Sequence, residues 1–311
     1  MRIVAASDRA PPGGEPGFAS ARAPRGAGSI CEVSDRVGDD QLRAEIAAHP
    51  WYHTLELRPG IETPGWFDLR GIIELVPLPG SLVGKRCLDV GTFDGFWAFE
   101  MERRGAEEVV AIDVLDPSRW DWPAGSDDAV ITAINARKAG GVGFELTSRE
   151  LGSAVQRRPL SVYELDPDEI GQFDHIYLGS LLLHLRDPVL ALERVCGVCS
   201  GTLIVCDAID AAMTAVFRKR AVAHLDGRGR PWWWKPNLAG LVRMVEAAGF
   251  ETISPPVRLR MPPGAGHPKP ILRPRSFRSQ IGRVETMRAW RGDPHAIVYA
   301  RPRVGPQAAG S

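Results

Sequence analysis

Two acidic residues, one within an apolar run and one at the end of the next, form a pattern that suits a ligand carrying a ribose. Asp89 lies in the apolar run 88–90, which leads into a turn that contains Gly91 and Gly95. Glycines let the backbone N–H groups of such a turn approach a ligand closely. Asp113 ends the next apolar run, where a carboxylate can accept hydrogen bonds from both hydroxyls of a ribose. The pattern therefore predicts a nucleoside-containing cofactor at this turn.

Dinucleotides such as NAD use the same strand, turn and acidic residue, so the cofactor class depends on the details of the turn. Phe93 stands where the second glycine of a G-x-G-x-x-G turn would let a pyrophosphate come close. Asp89 would repel a diphosphate, whereas its carboxylate suits a cofactor with ammonium and sulfonium charges. We therefore predict S-adenosyl-L-methionine as the cofactor, with a ligand-free strand-to-helix turn as the alternative.

Apolar runs and helical patterns alternate from residue 81 onward, which is typical of a parallel sheet covered on both faces. The predicted strands are 87–90, 109–113, 161–163, 175–178, 202–207, 257–261 and 296–300. The predicted helices are 97–104, 144–151, 188–198 and 238–248, the last of them capped by Asn237 and closed by Gly249. Five parallel strands and two closing strands predict an α/β fold with a Rossmann-like, doubly wound, seven-stranded sheet.

The same residues carry a resemblance to a known superfamily. Asp89, Gly91 and Gly95, then Asp113, then the segment 179–188 after the fourth predicted strand resemble the core of the class I S-adenosylmethionine-dependent methyltransferases. The resemblance implies that the chain is an enzyme of this class, a transferase with a biosynthetic role. It is specific for the cofactor and weak for the acceptor.

Within that superfamily, the segments 51–67, 89–97 and 229–237 resemble the smaller bacterial relatives of the tRNA wobble-uridine carboxymethyl/methyl transferases. The similarity covers about residues 45–255. Two departures matter. Phe93 and Asp94 replace the usual glycine and small residue of the cofactor loop, and the basic-aromatic segment that holds carboxy-S-adenosylmethionine has no counterpart. We therefore predict ordinary methyl transfer.

The resemblance also assigns candidate cofactor residues. Asp94 stands where it could contact the ammonium of the methionine portion, and Tyr163 stands where this fold commonly places an adenine contact. The predicted cofactor-binding residues are Asp89, Gly91, Thr92, Asp94, Gly95, Asp113, Tyr163 and Gly179. No metal is required for the reaction, because the sulfonium already activates the methyl group.

Candidate catalytic residues come from two segments. His184 follows the fourth predicted strand, at the sheet edge where cofactor and acceptor meet, and is the first candidate for a general base. The alternative is that it packs against the following helix. Tyr52 and His53 lie in the N-terminal segment, where they would orient the acceptor over the cofactor or would only pack as aromatic residues.

A run of three tryptophans provides candidates for the acceptor site. Trp232, Trp233 and Trp234 are too many large rings in sequence for one buried face. We predict that Trp233, Trp234 and Lys235 bind the acceptor, with Lys235 facing an anionic group. The alternative is that the three tryptophan rings lie on the protein surface.

The segments outside the sheet have distinct compositions. A helix after Asp39 and a hairpin around Pro59 indicate an N-terminal helical flap. The residues before them are rich in Pro, Gly, Ala and Arg and show no hydrophobic periodicity. The predicted boundaries are a disordered arm at 1–36, the helical flap segment at 37–80, the class I methyltransferase domain at 81–303 with a basic insertion at 262–294, and a tail at 304–311.

Bulk composition limits the partners. Lys+Arg and Asp+Glu are 38 each, so net charge does not favour nucleic acid. Between residues 258 and 303, however, eleven Lys or Arg stand against two acidic residues. The five cysteines are odd in number, and Cys196 and Cys199 are predicted to be buried thiols rather than half of a zinc site. No apolar run reaches the length of a membrane helix, so we expect a soluble, cytoplasmic protein.

These observations leave three functions open. The leading hypothesis is methyl transfer to a small molecule: a specialised metabolite, a lipid-like compound or a sugar intermediate. A tRNA-modifying methyl or carboxymethyl transferase that uses the basic segment is the first alternative, with nucleic acid as its partner. A non-catalytic cofactor-binding module is the second. The sequence does not distinguish a monomer from a homodimer.

Overall fold

The computed structural model describes residues 37–225, 232–267 and 292–303. The predicted arm 1–36, the predicted tail 304–311 and residues 268–291 of the basic insertion lie outside these ranges. The strands are β1 (Trp51–His53), β2 (Glu56–Arg58), β3 (Ile61–Glu62), β4 (Gly65–Phe67), β5 (Arg86–Val90), β6 (Glu108–Ile112), β7 (Gln156–Arg158), β8 (Phe173–Gly179), β9 (Cys199–Ala208), β10 (Ala223–Leu225), β11 (Trp234–Pro236), β12 (Phe250–Thr252), β13 (Val257–Met261) and β14 (Asp293–Pro302). The α-helices are α1 (Asp39–Ala47), α2 (Phe96–Arg103), α3 (Asp128–Lys138), α4 (Val142–Leu151), α5 (Pro167–Ile170), α6 (Pro188–Gly197), α7 (Ala211–Val216) and α8 (Leu238–Ala247).

One central sheet has the strand order β12-β14-β9-β8-β5-β6-β7, with β13 also paired to β14. The five strands from β9 to β7 are parallel, and β14 runs antiparallel to β9. Because β12 and β13 pair with successive stretches of the same edge of β14, the sheet is seven strands wide. The predicted doubly wound, Rossmann-like α/β sheet is confirmed.

The apolar runs predicted as strands are buried on both faces of this sheet. Along β5, Cys87 packs into one core cluster, whereas Leu88 and Val90 pack into another. Along β6, Val109 and Val110 divide between the same two clusters. Since successive side chains of a strand point to opposite faces, a continuous apolar run indicates a strand covered on both sides.

The last crossover helix forms as predicted. The Asn237 side chain accepts a hydrogen bond from the backbone N–H of Gly240 at 2.7 Å, which caps α8. Leu241 and Val245 lie one turn apart and are fully buried. The helix stops before Gly249, whose φ of +97° is unfavourable for other residues.

The third parallel strand lies earlier than predicted. Residues 161–163, predicted as a strand, belong instead to a 3-10 helix, Val162–Glu164, closed by a capping box between Ser161 and Glu164. The strand is β7, Gln156–Arg158, at the edge of the sheet. Its three residues are all polar, so no apolar run marked it. Helix α3 was missed because its apolar residues do not follow one face.

The N-terminal segment contributes to the core. As predicted, the chain folds back around Pro59, where β2 and β3 pair antiparallel. Leu42, Trp51 and Leu57 are buried and belong to the cluster that also contains Phe99 of α2. The short helix and the hairpin are therefore packed against the sheet domain.

Candidate functional site

The turn after β5 has the backbone that the glycines predict. Gly91 has a φ of +77° and its N–H donates to the carbonyl of Ile112 at 2.9 Å. Gly95 has a φ of +91°, and a Cβ there would lie 2.3 Å from the ring of Phe99. Phe93 lies between them with a φ of +53°. A bulky residue in this conformation is strained, which is common at ligand-binding turns.

Asp89 connects β5 to α2. Its Oδ2 accepts hydrogen bonds from the Thr92 hydroxyl at 2.7 Å and from the N–H of Ala98 at 3.2 Å. Burial raises the pKa of this carboxyl to about 7, and the two hydrogen bonds oppose that shift. Asp89 and Thr92, both predicted cofactor residues, thus fix the shape of the turn.

Asp94 fastens the N-terminal segment to the same turn. Its Oδ2 accepts the backbone N–H groups of Tyr52 at 2.6 Å and His53 at 2.9 Å. A Cβ at Gly143 would lie 2.7 Å from Oδ1, so glycine near the start of α4 leaves room for this carboxylate. Burial raises the pKa of Asp94 to about 7.

Asp113 lies directly after β6, as predicted, and is buried. Its carboxylate accepts the N–H groups of Phe93 at 3.2 Å and Val114 at 2.9 Å. It also forms an ion pair with Lys138 at the end of α3. The Lys138 ammonium lies 4.2 Å from the ring centre of Trp120. Lys138 therefore donates to the carboxylate that is predicted to bind the ribose hydroxyls. The lysine was missed because α3 was not predicted.

Tyr52 and His53 differ in chemical character. The Tyr52 ring packs on Phe93 with centroids 4.6 Å apart, and burial raises the pKa of its phenol. His53 is 6% exposed, and burial lowers the pKa of its imidazole to about 3. An imidazole with so low a pKa binds a proton weakly at neutral pH, which disfavours His53 as a general base.

Asp207 at the end of β9 organises the loop that carries His184. Its Oδ2 accepts the N–H groups of Leu181 and Leu182, both at 2.8 Å, and its Oδ1 accepts that of Ala208 at 2.7 Å. The loop continues into a 3-10 helix, Leu182–His184, in which His184 is partly buried. Asp207 was not predicted as a site residue, although it ends an apolar run as Asp113 does.

The start of that loop is also tightly fitted. A Cβ at Gly179 would lie 2.6 Å from the ring of Tyr177, so a larger residue would displace a buried aromatic side chain. Ser180 follows with a φ of +51°. The backbone at the carboxyl end of β8 is thus held in one conformation.

Tyr163 and Trp233 meet at Asp121. The Tyr163 hydroxyl donates to the Asp121 carboxylate at 2.7 Å and accepts the N–H of Asp187 at 3.0 Å. Trp233 donates its indole N–H to the Asp121 carbonyl and its backbone N–H to Leu183 at 2.7 Å. These contacts place Tyr163 and Trp233 against the loop that carries His184.

The other two predicted acceptor residues flank Trp233. The indole N–H of Trp234 donates to the Arg186 carbonyl at 3.0 Å. Lys235 is buried, with its ammonium 4.9 Å from the ring centre of Trp232. The structure thus brings the tryptophan run to the same sheet edge as His184.

The electrostatics of this edge are dominated by acids. The buried carboxyls Asp89, Asp94, Asp113 and Asp207 surround the ends of β5, β6 and β9, with Lys138 as a buried cation beside Asp113. Carboxyls whose pKa is raised by burial gain from a nearby positive charge. These carboxylates, which accept hydrogen bonds, therefore fit a cationic ligand with ribose hydroxyls better than a diphosphate.

The predicted buried thiols are partly confirmed. Cys199 is buried and Cys196 is half-buried, and burial raises the pKa of Cys199 to about 12. Within the ranges that the structure describes, no cluster of His, Cys, Asp and Glu has the arrangement of a metal site. Among those residues no helix is both long and apolar enough to cross a membrane.

No protein-family model matches the chain. Its curated relatives include a ubiquinone biosynthesis O-methyltransferase of Acinetobacter baumannii (strain ACICU), 27% identical over 155 residues, which are 49% of this chain and 52% of the relative. The chain thus matches about half the length of the curated relatives. Similar solved structures include the Burkholderia thailandensis 1,6-didemethyltoxoflavin-N1-methyltransferase (TM-score 0.43, 15% identity, 70% and 71% of the two chains) and the [4+2]-cyclase SpnF (TM-score 0.44, 20%, 86% and 93%).

The sheet order and the methyltransferase relatives point to the same class. Five parallel strands, followed in the chain by strands that close one edge of the sheet, match the predicted layout of five parallel and two closing strands. The chain has the fold of the class I S-adenosylmethionine-dependent methyltransferases.

Proposed function

We propose that this protein transfers a methyl group from S-adenosyl-L-methionine to a small-molecule acceptor. The observation that carries the proposal is the group of buried carboxyls around the Gly91 turn, among which Asp113 would receive the ribose hydroxyls. The curated relatives, which are named as O-methyltransferases of ubiquinone biosynthesis, support the same class of reaction. When bound, the cofactor supplies a methyl group that its sulfonium has already activated.

Different residues of the chain bind different parts of this cofactor. Asp113 binds the ribose once Lys138 moves aside or shares the carboxylate. Asp94 has its Oδ2 occupied by β1, so only its Oδ1 is left to receive the methionine ammonium. Gly91 and Gly179 let the backbone approach, and Tyr163 borders the adenine. The segment 37–80 covers the site from the N-terminal side, which is the role of a flap.

The acceptor lies between the tryptophan run and the loop after β8. Trp233 and Trp234 offer aromatic faces for an apolar or ring-shaped compound. The positive charge of Lys235 would attract an anionic substituent of the acceptor, and His184 on the loop after β8 is the candidate base. Because in-line methyl transfer requires alignment more than acid catalysis, the main contribution of these residues is position.

The RNA alternative depends on residues 268–291, which lie outside the described ranges. Of the eleven basic residues between 258 and 303, four are described, Arg258, Arg260, Arg301 and Arg303, and four arginines do not make a tract along which nucleic acid would bind. The resemblance to the tRNA wobble-uridine transferases therefore stays a prediction from sequence.

The ribose assignment is tested by calorimetry with S-adenosylhomocysteine. Asp113→Ala is expected to weaken binding by about 1–3 kcal/mol, or about 5- to 150-fold, because charge-assisted hydrogen bonds to the hydroxyls are lost. The double variant Asp113→Ala/Lys138→Met removes both buried charges and separates cofactor loss from an unpaired lysine. Asp174→Ala, an exposed carboxyl at the opposite edge, is the matched control. Equal affinity in all four proteins, or tighter binding of NAD, would remove the assignment.

A further inference from the structure

One arginine of β7 is buried with part of its guanidinium unsatisfied. The side chain of Arg157 is 8% exposed. Its Nη1 donates to the carbonyl of Gly141 at 2.9 Å and lies 3.4 Å from the exposed carboxylate of Glu145. Its Nε and Nη2 are buried and have no hydrogen-bond partner among the described residues. Such donors are rare in folded proteins, because each has lost its bonds to water without replacement.

The two unsatisfied nitrogens form the edge of the guanidinium that binds carboxylates. Nε–H and Nη2–H point in the same direction, with a spacing that matches the two oxygens of one carboxylate. Arg70 uses this edge for Asp68, at 2.9 and 2.8 Å. Arg103 uses it for Glu100, at 2.7 and 2.8 Å. The ligand that would satisfy the same edge of Arg157 is therefore a carboxylate.

The first turn of α4 brings this guanidinium close to a buried acid. A Cβ at Gly141 would lie 1.7 Å from Nη1 of Arg157, and a Cβ at Gly143 would lie 2.7 Å from Oδ1 of Asp94. The two charged groups therefore lie against the same helical turn, at positions two residues apart. This helix begins without a side-chain cap, and the positive end of a helix favours an anion. A partner for a carboxylate thus lies near a partner for an ammonium.

The proposed cofactor carries both of these charges on one carbon atom. The ammonium of its methionine end is assigned above to Oδ1 of Asp94. None of the residues predicted from sequence to bind the cofactor is a cation, so none of them matches the α-carboxylate. We propose that Nε and Nη2 of Arg157 bind this α-carboxylate through two parallel hydrogen bonds. The inference rests on the proposed function and assigns a residue that no motif marks, because β7 is short and polar.

Access to the guanidinium and to the ribose carboxylate depends on the connection between α3 and α4. The connection is a 3-10 helix, Ala139–Gly141, in which Gly140 and Gly141 have φ values of +65° and +92°. Gly141 packs on the guanidinium. Lys138, directly before the connection, pairs with Asp113. One displacement of this segment would therefore uncover the buried nitrogens and free Asp113 for the ribose.

The carboxylate assignment is tested by calorimetry with two ligands that differ only in that group. They are S-adenosylhomocysteine and 5′-S-(3-aminopropyl)-5′-thioadenosine, which keeps the amine. The parent should prefer the carboxylate ligand about 10- to 150-fold, as expected for two charge-assisted hydrogen bonds. Arg157→Met should reduce this preference to about threefold or less and leave affinity for the amine ligand within about threefold. Arg158→Met, on the opposite face of β7, is the matched control and should keep the full preference.

Two glycine variants of α4 test the same contact from the backbone side. The methyl group of Gly141→Ala would meet the guanidinium and push it aside, so the preference for the carboxylate ligand should fall at least about fivefold. Gly152→Ala also places alanine at a positive φ, +62°, but its methyl group would have no atom within 4 Å. It should keep the preference. The pair separates displacement of the guanidinium from backbone strain.

Hydrogen exchange tests the displacement of the connection. In the full chain saturated with S-adenosylhomocysteine, the amides of residues 139–143 should exchange at a different rate from those of the free protein. The amides of α6, which packs on the other face of the sheet, should not change. Equal rates at 139–143 with and without the ligand would contradict the shared movement.

Each outcome of the calorimetry has a defined meaning. A parent protein that binds the two ligands equally would overturn the carboxylate assignment, and so would an undiminished preference in Arg157→Met. If the methionine variant does not fold, Arg157→Lys takes its place, because lysine keeps the charge but lacks the paired N–H groups. The lysine variant should lose most of the preference, and full retention would overturn the assignment. A parent protein that binds neither ligand would instead contradict the proposed function.

Discussion

Replacing Asp207 by alanine is expected to lower the free energy of unfolding by about 3 kcal/mol, more than most single substitutions. The carboxylate accepts the backbone N–H groups of Leu181, Leu182 and Ala208. Alanine would leave these donors buried without an acceptor. The loop that carries Ser180 and His184 should lose its conformation. Methyltransferase activity should therefore fall even under conditions in which the variant remains folded.

The pH dependence of this effect has a defined sign. Burial raises the pKa of Asp207 to about 6 in the folded chain, above its ordinary value near 4. The folded state therefore binds the proton more tightly, and the contribution of Asp207 to stability declines as pH rises from about 4 to 6. The difference between parent and Asp207→Ala should be larger at pH 5 than at pH 8 in urea denaturation.

Two further variants make the stability measurement specific. Asp207→Asn keeps one acceptor oxygen and should retain about half of the stability that alanine loses. Asp116→Ala removes an exposed carboxylate that also accepts a backbone N–H, that of Ser118 at 2.9 Å, and should cost about 1 kcal/mol or less. If the Asp207 and Asp116 variants proved equally stable, the loop after β8 would not depend on the buried carboxylate.

The parts of the fold that could be predicted from sequence are those with strong apolar patterns. Strands β5, β6, β8 and β9 are buried on both faces, so their residues form continuous apolar runs. Strand β7 lies at the sheet edge and consists of polar residues, and its position depends on pairing with β6 rather than on its own composition. Helix α3 likewise lacks an apolar face. Local sequence could not identify either element.

The same distinction holds for the site. Asp89, Gly91 and Asp113 are close in sequence and follow a recognisable strand-to-turn pattern, so they were predicted. The pairing of Ser180 with His295 joins residues 115 positions apart and exists only because β14 inserts beside β9. The ion pair of Lys138 depends on an unpredicted helix. Contacts of this kind come from topology, which a single sequence specifies only indirectly.

The cofactor itself provides the last prediction: binding of S-adenosylmethionine should release protons. Burial raises the pKa values of Asp89 and Asp94 to about 7, so both carboxyls are partly protonated at neutral pH. A ligand with ammonium and sulfonium charges stabilises the ionised carboxylates and lowers these pKa values. Protons must then leave as the ligand enters, and affinity must rise with pH.

The size of the change in affinity with pH follows from these pKa values. If cofactor binding lowers the pKa of one carboxyl from about 7 to well below 6, the affinity should fall about tenfold from pH 8 to pH 6. Two such carboxyls should make it fall about a hundredfold. Calorimetry in phosphate and Tris, which differ in ionisation enthalpy, counts the released protons directly. S-adenosylhomocysteine lacks the sulfonium charge and should release fewer protons. Asp94→Asn, which can still accept N–H groups from β1, should remove one of the two contributions. A binding affinity that is independent of pH, with a binding enthalpy that is independent of buffer, would show that the positive charges of the cofactor do not lie beside Asp89 and Asp94. A cation placed beside half-protonated carboxyls must release protons.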